Sequence, residues 1–161
     1  MTEALLSESL AVTAAEVARG TSRLFRRADI FVQSEVGLRN HRRCDLMGIN
    51  AKGEIIIVEI KCARGDLLGD QKWTEYLDYC DRFFWAVPPG FDAAPLEREA
   101  FLPDRAGLII ADGYDGEVAR PAARHALAPA RRKKETERLA RIAMNRLMRL
   151  ADPEYIVMPE S

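Results

Sequence analysis

Asp45, Glu59 and Lys61 are the residues of this chain whose types and spacing could do chemistry. Glu59-Ile60-Lys61 is a Glu-x-Lys triplet that ends a β-branched run beginning at Ile55. A carboxylate in such a run is costly to bury without a partner. Two carboxylates facing each other also repel. A divalent cation between them removes the conflict, and hard oxygen ligands suit Mg²⁺ or Mn²⁺. A metal held there would polarise a phosphate and lower the pKa of bound water. A lysine alongside would orient that water or stabilise charge growing on phosphorus. The chemistry implied is phosphodiester hydrolysis. The competing reading is a polar patch at a sheet end, with Lys61 simply pairing to Glu59 or Asp45.

Whether the acids meet depends on one turn. Asn50-Ala51-Lys52-Gly53-Glu54 fits a three-residue hairpin loop, with Asn50 at the first turn position and Gly53 in the left-handed conformation. Asn50 then pairs with Glu54, Ile49 with Ile55, Met47 with Ile57, Asp45 with Glu59 and Arg43 with Lys61. A two-residue loop would shift the register by one and put the acids on opposite faces. A second loop, Arg39-Asn40-His41, would set Glu35 opposite Asp45. Asn40 is the left-handed candidate there, a weaker one than glycine.

The elements that must carry these residues follow from pattern. A helix is expected over about 10–28, with Thr13 as N-cap and Glu16 completing a capping box. Gly20 is a mild cost within it. Strands are expected over about 30–38, 42–50 and 54–62, the third needing cover on both faces. Residues 66–80 read as a second helix, with Asp66 as N-cap and Leu67 or Leu68, Trp73, Leu77 and Cys80 inward. Further strands are expected at 82–87, stopped by Pro88-Pro89-Gly90, at 107–111 and at 118–120, with a short helix near 95–100. A long helix over about 130–150 closes the chain, with Leu139, Ala143, Leu147 and Leu150 on one face. The class is α/β, a mixed central sheet flanked by helices.

The chain has 161 residues, 48% hydrophobic and 30% charged, which suits one globular domain over 1–161, with a core at about 12–88 and an extension at about 95–150. No apolar run approaches the ~18–20 residues that span a bilayer, so no membrane partner is expected. Met1–Ser9 carries Glu3 and Glu8 and no basic segment, which reads as cytoplasmic rather than secreted. Cys44, Cys62 and Cys80 suggest neither a disulfide framework nor a zinc site, but small buried side chains.

The net charge is -1, but its distribution is uneven. Eight basic residues against two acidic ones lie between Ala128 and Leu150, and six arginines against two acids between Ser22 and Arg43. Such asymmetry points to a polyanion. Arg131, Arg132, Lys133 and Lys134 stand at a helix start, where cations oppose the helix dipole, so an external anion such as DNA phosphate is expected there. The alternative is a solvated face. Lys72 and Tyr76 lie one helical turn apart and would bind a phosphate or brace the site, or would be an exposed lysine over a partly buried tyrosine. His41, beside Arg42 and Arg43, is a candidate for substrate contact.

The segments Arg43 to Ile49 and Ile57 to Lys61 resemble the D…ExK signature of the PD-(D/E)xK phosphodiesterase superfamily, and the α-β-β-β-α-β order resembles its restriction-endonuclease-like core. Val58 to Phe91, with Ala106 to Asp112 and Ala128 to Lys133, looks closer still to the MmcB-like DNA repair proteins of bacteria, a likeness over roughly 12–148. It implies a DNA repair role and a nuclease-like fold, with a C-terminal ββα extension. The expected function is Mg²⁺-dependent hydrolysis of DNA; the alternative is a non-catalytic DNA-binding module that keeps the fold. Carried over by position, Asp45 and Glu59 ligate the metal, Lys61 is the catalytic lysine and Glu35 the preceding acid. The carbonyl of Ile60 is an extra ligand. The superfamily's Pro-Asp is Cys44-Asp45 here, and the Gln-xxx-Tyr of some relatives is Lys72-xxx-Tyr76. A homodimer or a repair-protein partner is left open.

Overall fold

The structure, a computed structural model, describes residues 11–155. Met1–Ser9 lies outside them. Helix α1 (Ala14–Arg27) opens on Thr13, whose hydroxyl accepts from the Glu16 N–H while the Glu16 side chain takes the Thr13 N–H, the expected capping box. It is followed by β1 (Phe31–Gly37), β2 (Arg43–Ile49) and β3 (Ile55–Ile60). After a short helix α2 (Arg64–Gly69) and a 3-10 helix (Trp73–Tyr79) come β4 (Arg82–Val87), β5 (Gly107–Ala111), β6 (Gly116–Arg120) and the long α3 (Pro129–Ala151). The six strands form one mixed sheet in chain order. β1, β2 and β3 are antiparallel neighbours, β4 lies parallel to β3, β5 parallel to β4, and β6 returns antiparallel. The expected C-terminal strands thus continue the sheet.

β3 is buried on both sides, as its β-branched run requires. Ile55 and Ile57 join a core with Leu67, Trp73, Tyr76, Leu139 and Ile142. Ile56 and Val58 face Val17 and Phe25 of α1. The sheet is therefore a middle layer between α1 and the remaining helices.

The helix expected over 66–80 is broken. Gly69 weakens it, and the chain leaves helical geometry at Asp70. The second half winds three residues per turn, so Trp73, Tyr76 and Tyr79 stack on one buried edge. Trp73 enters an aromatic cluster with Phe83, Trp85 and Phe101. The N-cap position is Ala63 rather than Asp66, and Leu68 is exposed while Leu67 is buried. On α3 the inner residues are Glu135, Leu139 and Ile142; Leu147 and Leu150 are exposed, because the helix runs on beyond the core. Cys44 and Cys80 are buried as expected, whereas Cys62 is half-buried; all three are free.

Gly20 has a purpose that helix pattern does not reveal. A Cβ there would run into the backbone carbonyl of Asp112 and lie 2.6 Å from that of Asp115, so α1 sits directly on the β5–β6 turn. In an open helix Gly→Ala gains about 1 kcal/mol. Here Gly20→Ala should instead destabilise by about 1–3 kcal/mol through overpacking, read as a lowered urea midpoint. A stabilised variant would show that α1 does not pack so closely.

Candidate metal and phosphodiester site

The β2–β3 turn has the geometry that gathers the acids. Gly53 is left-handed at φ 80°, its N–H donates to the Asn50 carbonyl at 3.0 Å, and the Asn50 N–H donates to the Glu54 carbonyl at 3.1 Å. The Asn50 side-chain oxygen also accepts from the N–H groups of Lys52 and Glu54. Register follows: Ile49 pairs with Ile55, Met47 with Ile57 and Leu46 with Val58.

Beyond Leu46 and Val58 the side chains take over from the ladder. Asp45 Oδ2 accepts the Ile60 N–H at 2.7 Å, and Glu59 Oε1 accepts the Asp45 N–H at 3.0 Å. Each acid clasps the opposite strand. Glu59 is only 6% exposed. Its pKa is pushed up to about 8, first by burial and then by the charge of Asp45, against the Asp45 N–H and Lys61. Burial also raises Asp45, opposed by the Ile60 N–H, Lys61 and Arg43. Two partly desolvated carboxylates here compete for ionisation.

Lys61 follows β3 directly, and its N–H donates to the Ala86 carbonyl at 3.0 Å. Its ammonium pairs with Asp70 at 3.0 Å, with both side chains 14% exposed. Asp70 is the residue that sequence reasoning missed. Its position where α2 ends allows the contact, which a continuous helix over 66–80 gave no reason to expect. The first hairpin keeps the expected register, with Val36 opposite Cys44 and Ser34 opposite Leu46. Its left-handed loop residue, however, is His41 at φ 66° and not Asn40, whose side chain instead accepts the Arg42 N–H. Glu35 itself is left-handed at φ 51°, is exposed and lies 3.8 Å from Arg43. It stays within electrostatic reach of Asp45.

Tyr76 is buried and its hydroxyl donates to the Arg43 carbonyl at 3.1 Å, bracing the start of β2; the Arg42 guanidinium lies 5.6 Å from the ring centre. Lys72 is exposed just before the 3-10 helix, so it does not share an α-helical face with Tyr76. Arg131 to Lys134 stand at the other end of β3. Arg132 reaches the buried Asp81 at 2.5 Å, and Asp81 accepts the N–H of Ile55, the first residue of β3. Burial opposes the charge of Asp81, but Arg132 and backbone N–H groups outweigh it and lower its pKa. Arg131 covers the Tyr79 ring at 4.9 Å, and Lys133 and Lys134 are exposed. Four residues at about 3.3 Å each separate Ile55 from Glu59, roughly 13 Å.

The donors suit a hard divalent ion. Asp45 and Glu59 each keep one oxygen outside the clasp, and a cation would relieve their repulsion. Among the described residues no set of three or more His, Cys, Asp or Glu is arranged for a metal. An ion held here would take its remaining ligands from carbonyl, water and phosphate oxygens, as Mg²⁺ commonly does.

The raised Glu59 pKa has a thermodynamic sign. An acid whose pKa is higher folded than unfolded binds the extra proton in the native state, so its stabilisation is full below the unfolded value and is lost as pH rises through about 8. The metal-free protein should lose thermal stability from pH 5 to 9, and Glu59→Gln should flatten that fall and melt above wild type at pH 9. A wild-type melting temperature that rises across this window, or the same slope in the variant, would refute the assignment.

Comparison with known proteins adds the relationship. The family described as DNA repair protein MmcB-like matches residues 1–154. A protein of unknown function from Silicibacter pomeroyi is similar at 43% identity, over 88% of this chain and 93% of that one, with a TM-score of 0.77. A search of curated proteins found no match. With the sheet, the acid pair and the match over nearly all of its length in place, the chain belongs to the MmcB-like family of DNA repair proteins.

Proposed function

We propose that this protein is a metal-dependent phosphodiesterase acting on DNA, built on the PD-(D/E)xK, restriction-endonuclease-like plan and working in the cytoplasm. The observation that carries the reading is the clasped acid pair, Asp45 and Glu59, at the end of a hairpin and beside a lysine. Asp45 and Glu59 would hold Mg²⁺ or Mn²⁺, with the Ile60 carbonyl as a further ligand. The ion would supply polarisation of the phosphate and a water of lowered pKa.

The protein groups then divide the remaining work. Glu59 must give up its proton to bind a cation, so metal affinity rises with pH. Lys61, steadied by Asp70, is placed to donate to a phosphate oxygen or to hold the attacking water. Arg43 and Glu35 flank the acids on the solvent side, and Tyr76 fixes the Arg43 backbone. One observation favours the second reading, a DNA-binding module without cleavage: both acids and the lysine already have structural partners.

Nicking of single-stranded, flapped and duplex DNA separates the two. Wild type should nick with Mg²⁺ or Mn²⁺, and Asp45→Ala and Lys61→Ala should each fall by about 10²–10³-fold. Added Mg²⁺ should also raise the melting temperature more at pH 8.5 than at pH 6. Cleavage indifferent to both substitutions ends the catalytic reading; DNA binding without cleavage under either metal selects the binding module.

A further inference from the structure

We infer that the outer face of α3 is where two copies of this chain meet, helix against helix and antiparallel, as a two-fold dimer. The inner face of α3 is already occupied: Glu135, Leu139 and Ile142 are buried, and Leu139 and Ile142 belong to the core. The opposite face carries Ala140, Met144, Leu147, Met148 and Ala151. Residues at these spacings line one side of an α-helix. All five are exposed, Met144 and Leu147 at 64% and Met148 at 71%. They form a continuous stripe three turns long, about 17 Å at 1.5 Å per residue. Single apolar residues on a surface need no explanation, but a contiguous patch marks a contact surface.

The spacing selects the occupant. Ala140, Met144, Leu147 and Ala151 follow at intervals of four, three and four, so the stripe reads the same in both directions. A second α3 laid antiparallel on the first sets Ala140 opposite Ala151 of the other copy, and Met144 opposite Leu147. Small residues meet small ones at the ends and large meet large at the centre. A two-fold contact requires this self-match, with residue i meeting j and j meeting i. The unbranched methionines fill the remaining gaps.

Charge selects the orientation. Arg141 and Asp152 are eleven residues apart, about three helical turns, and so flank the stripe on the same side. Both are exposed, and among the described residues neither takes part in a salt bridge. In the antiparallel pair, Arg141 of each copy lies within two residues of the level of Asp152 in the other, about 3 Å along the axis. An arginine side chain spans that offset, which gives two symmetric ion pairs. A parallel pair would instead set Arg141 against Arg141 and Asp152 against Asp152. A contact of three turns is small beside the roughly 800 Å² per partner of a standard interface, so the association is concentration-dependent.

Sedimentation velocity of the full chain in EDTA, from about 1 to about 200 µM, tests this by mass alone and needs no cleavage. Wild type should pass from monomer to dimer over that range. Met144→Gln/Leu147→Gln, at exposed positions, should keep its melting temperature and raise the dimer Kd at least about tenfold. Arg141→Glu and Asp152→Arg should each weaken the dimer about fivefold, and the two combined should return it close to wild type. A wild type that stays monomeric throughout overturns the inference and leaves the stripe to a different protein. A dimer untouched by the glutamine pair has its interface elsewhere, and one not recovered by the combined charge swap has another orientation; either result also overturns it.

Discussion

Strand register is the constraint on which the rest depends. Side chains alternate faces along a strand, so a turn one residue shorter would invert every position from Asp45 to Ile49 relative to β3. Gly53 and the Asn50 side chain fix the loop at one length. The outcome reaches the end of the hairpin, where the ladder stops and two carboxylates take its place. These acids hold the strands together while their charges oppose that arrangement. A small rigid turn thereby controls a polar centre at the other end of two strands.

The two ends of β3 show opposite solutions to buried charge. At the Ile55 end, Asp81 is fully buried but satisfied by Arg132 and by the N–H groups of Ile55 and Leu127. Its ionised form is favoured, and it ties α3, β3 and the segment before α3 to one carboxylate. At the Glu59 end the nearby cation is held by a third acid, Asp70, and Glu59 remains undercompensated. The first arrangement is what structural ion pairs look like; the second leaves a conflict that a ligand can resolve.

Much of this was legible in the sequence because local signals and tertiary demands agreed. Thr13 with Glu16, the β-branched run from Ile55 and the proline stop after Val87 each specify their element. The helix from Asp66 to Cys80 was not legible, since a periodic apolar pattern fits a 3-10 turn as well as an α-helical one; the structure buries Trp73, Tyr76 and Tyr79 at three-residue spacing. Asp70 escaped for the same reason: its partner Lys61 is near only once the helix breaks. The basic residues show the limit of linear charge counting. Arg131 to Lys134 form the densest run, yet Arg132 is committed to Asp81 and Arg131 covers the Tyr79 ring, which leaves Lys133 and Lys134 exposed.

The left-handed Glu35 has a consequence for association. β1 is an edge strand, and an open edge offers hydrogen-bonding groups to any neighbouring chain. A left-handed residue in the middle of that edge breaks its straight extended path, and Arg138 and Arg146 occupy carbonyls around it. A foreign strand meets a kink and two bulky cations where it needs a flat template. The same feature that turns Glu35 outward thus makes this edge of the sheet a poor template for edge-to-edge pairing.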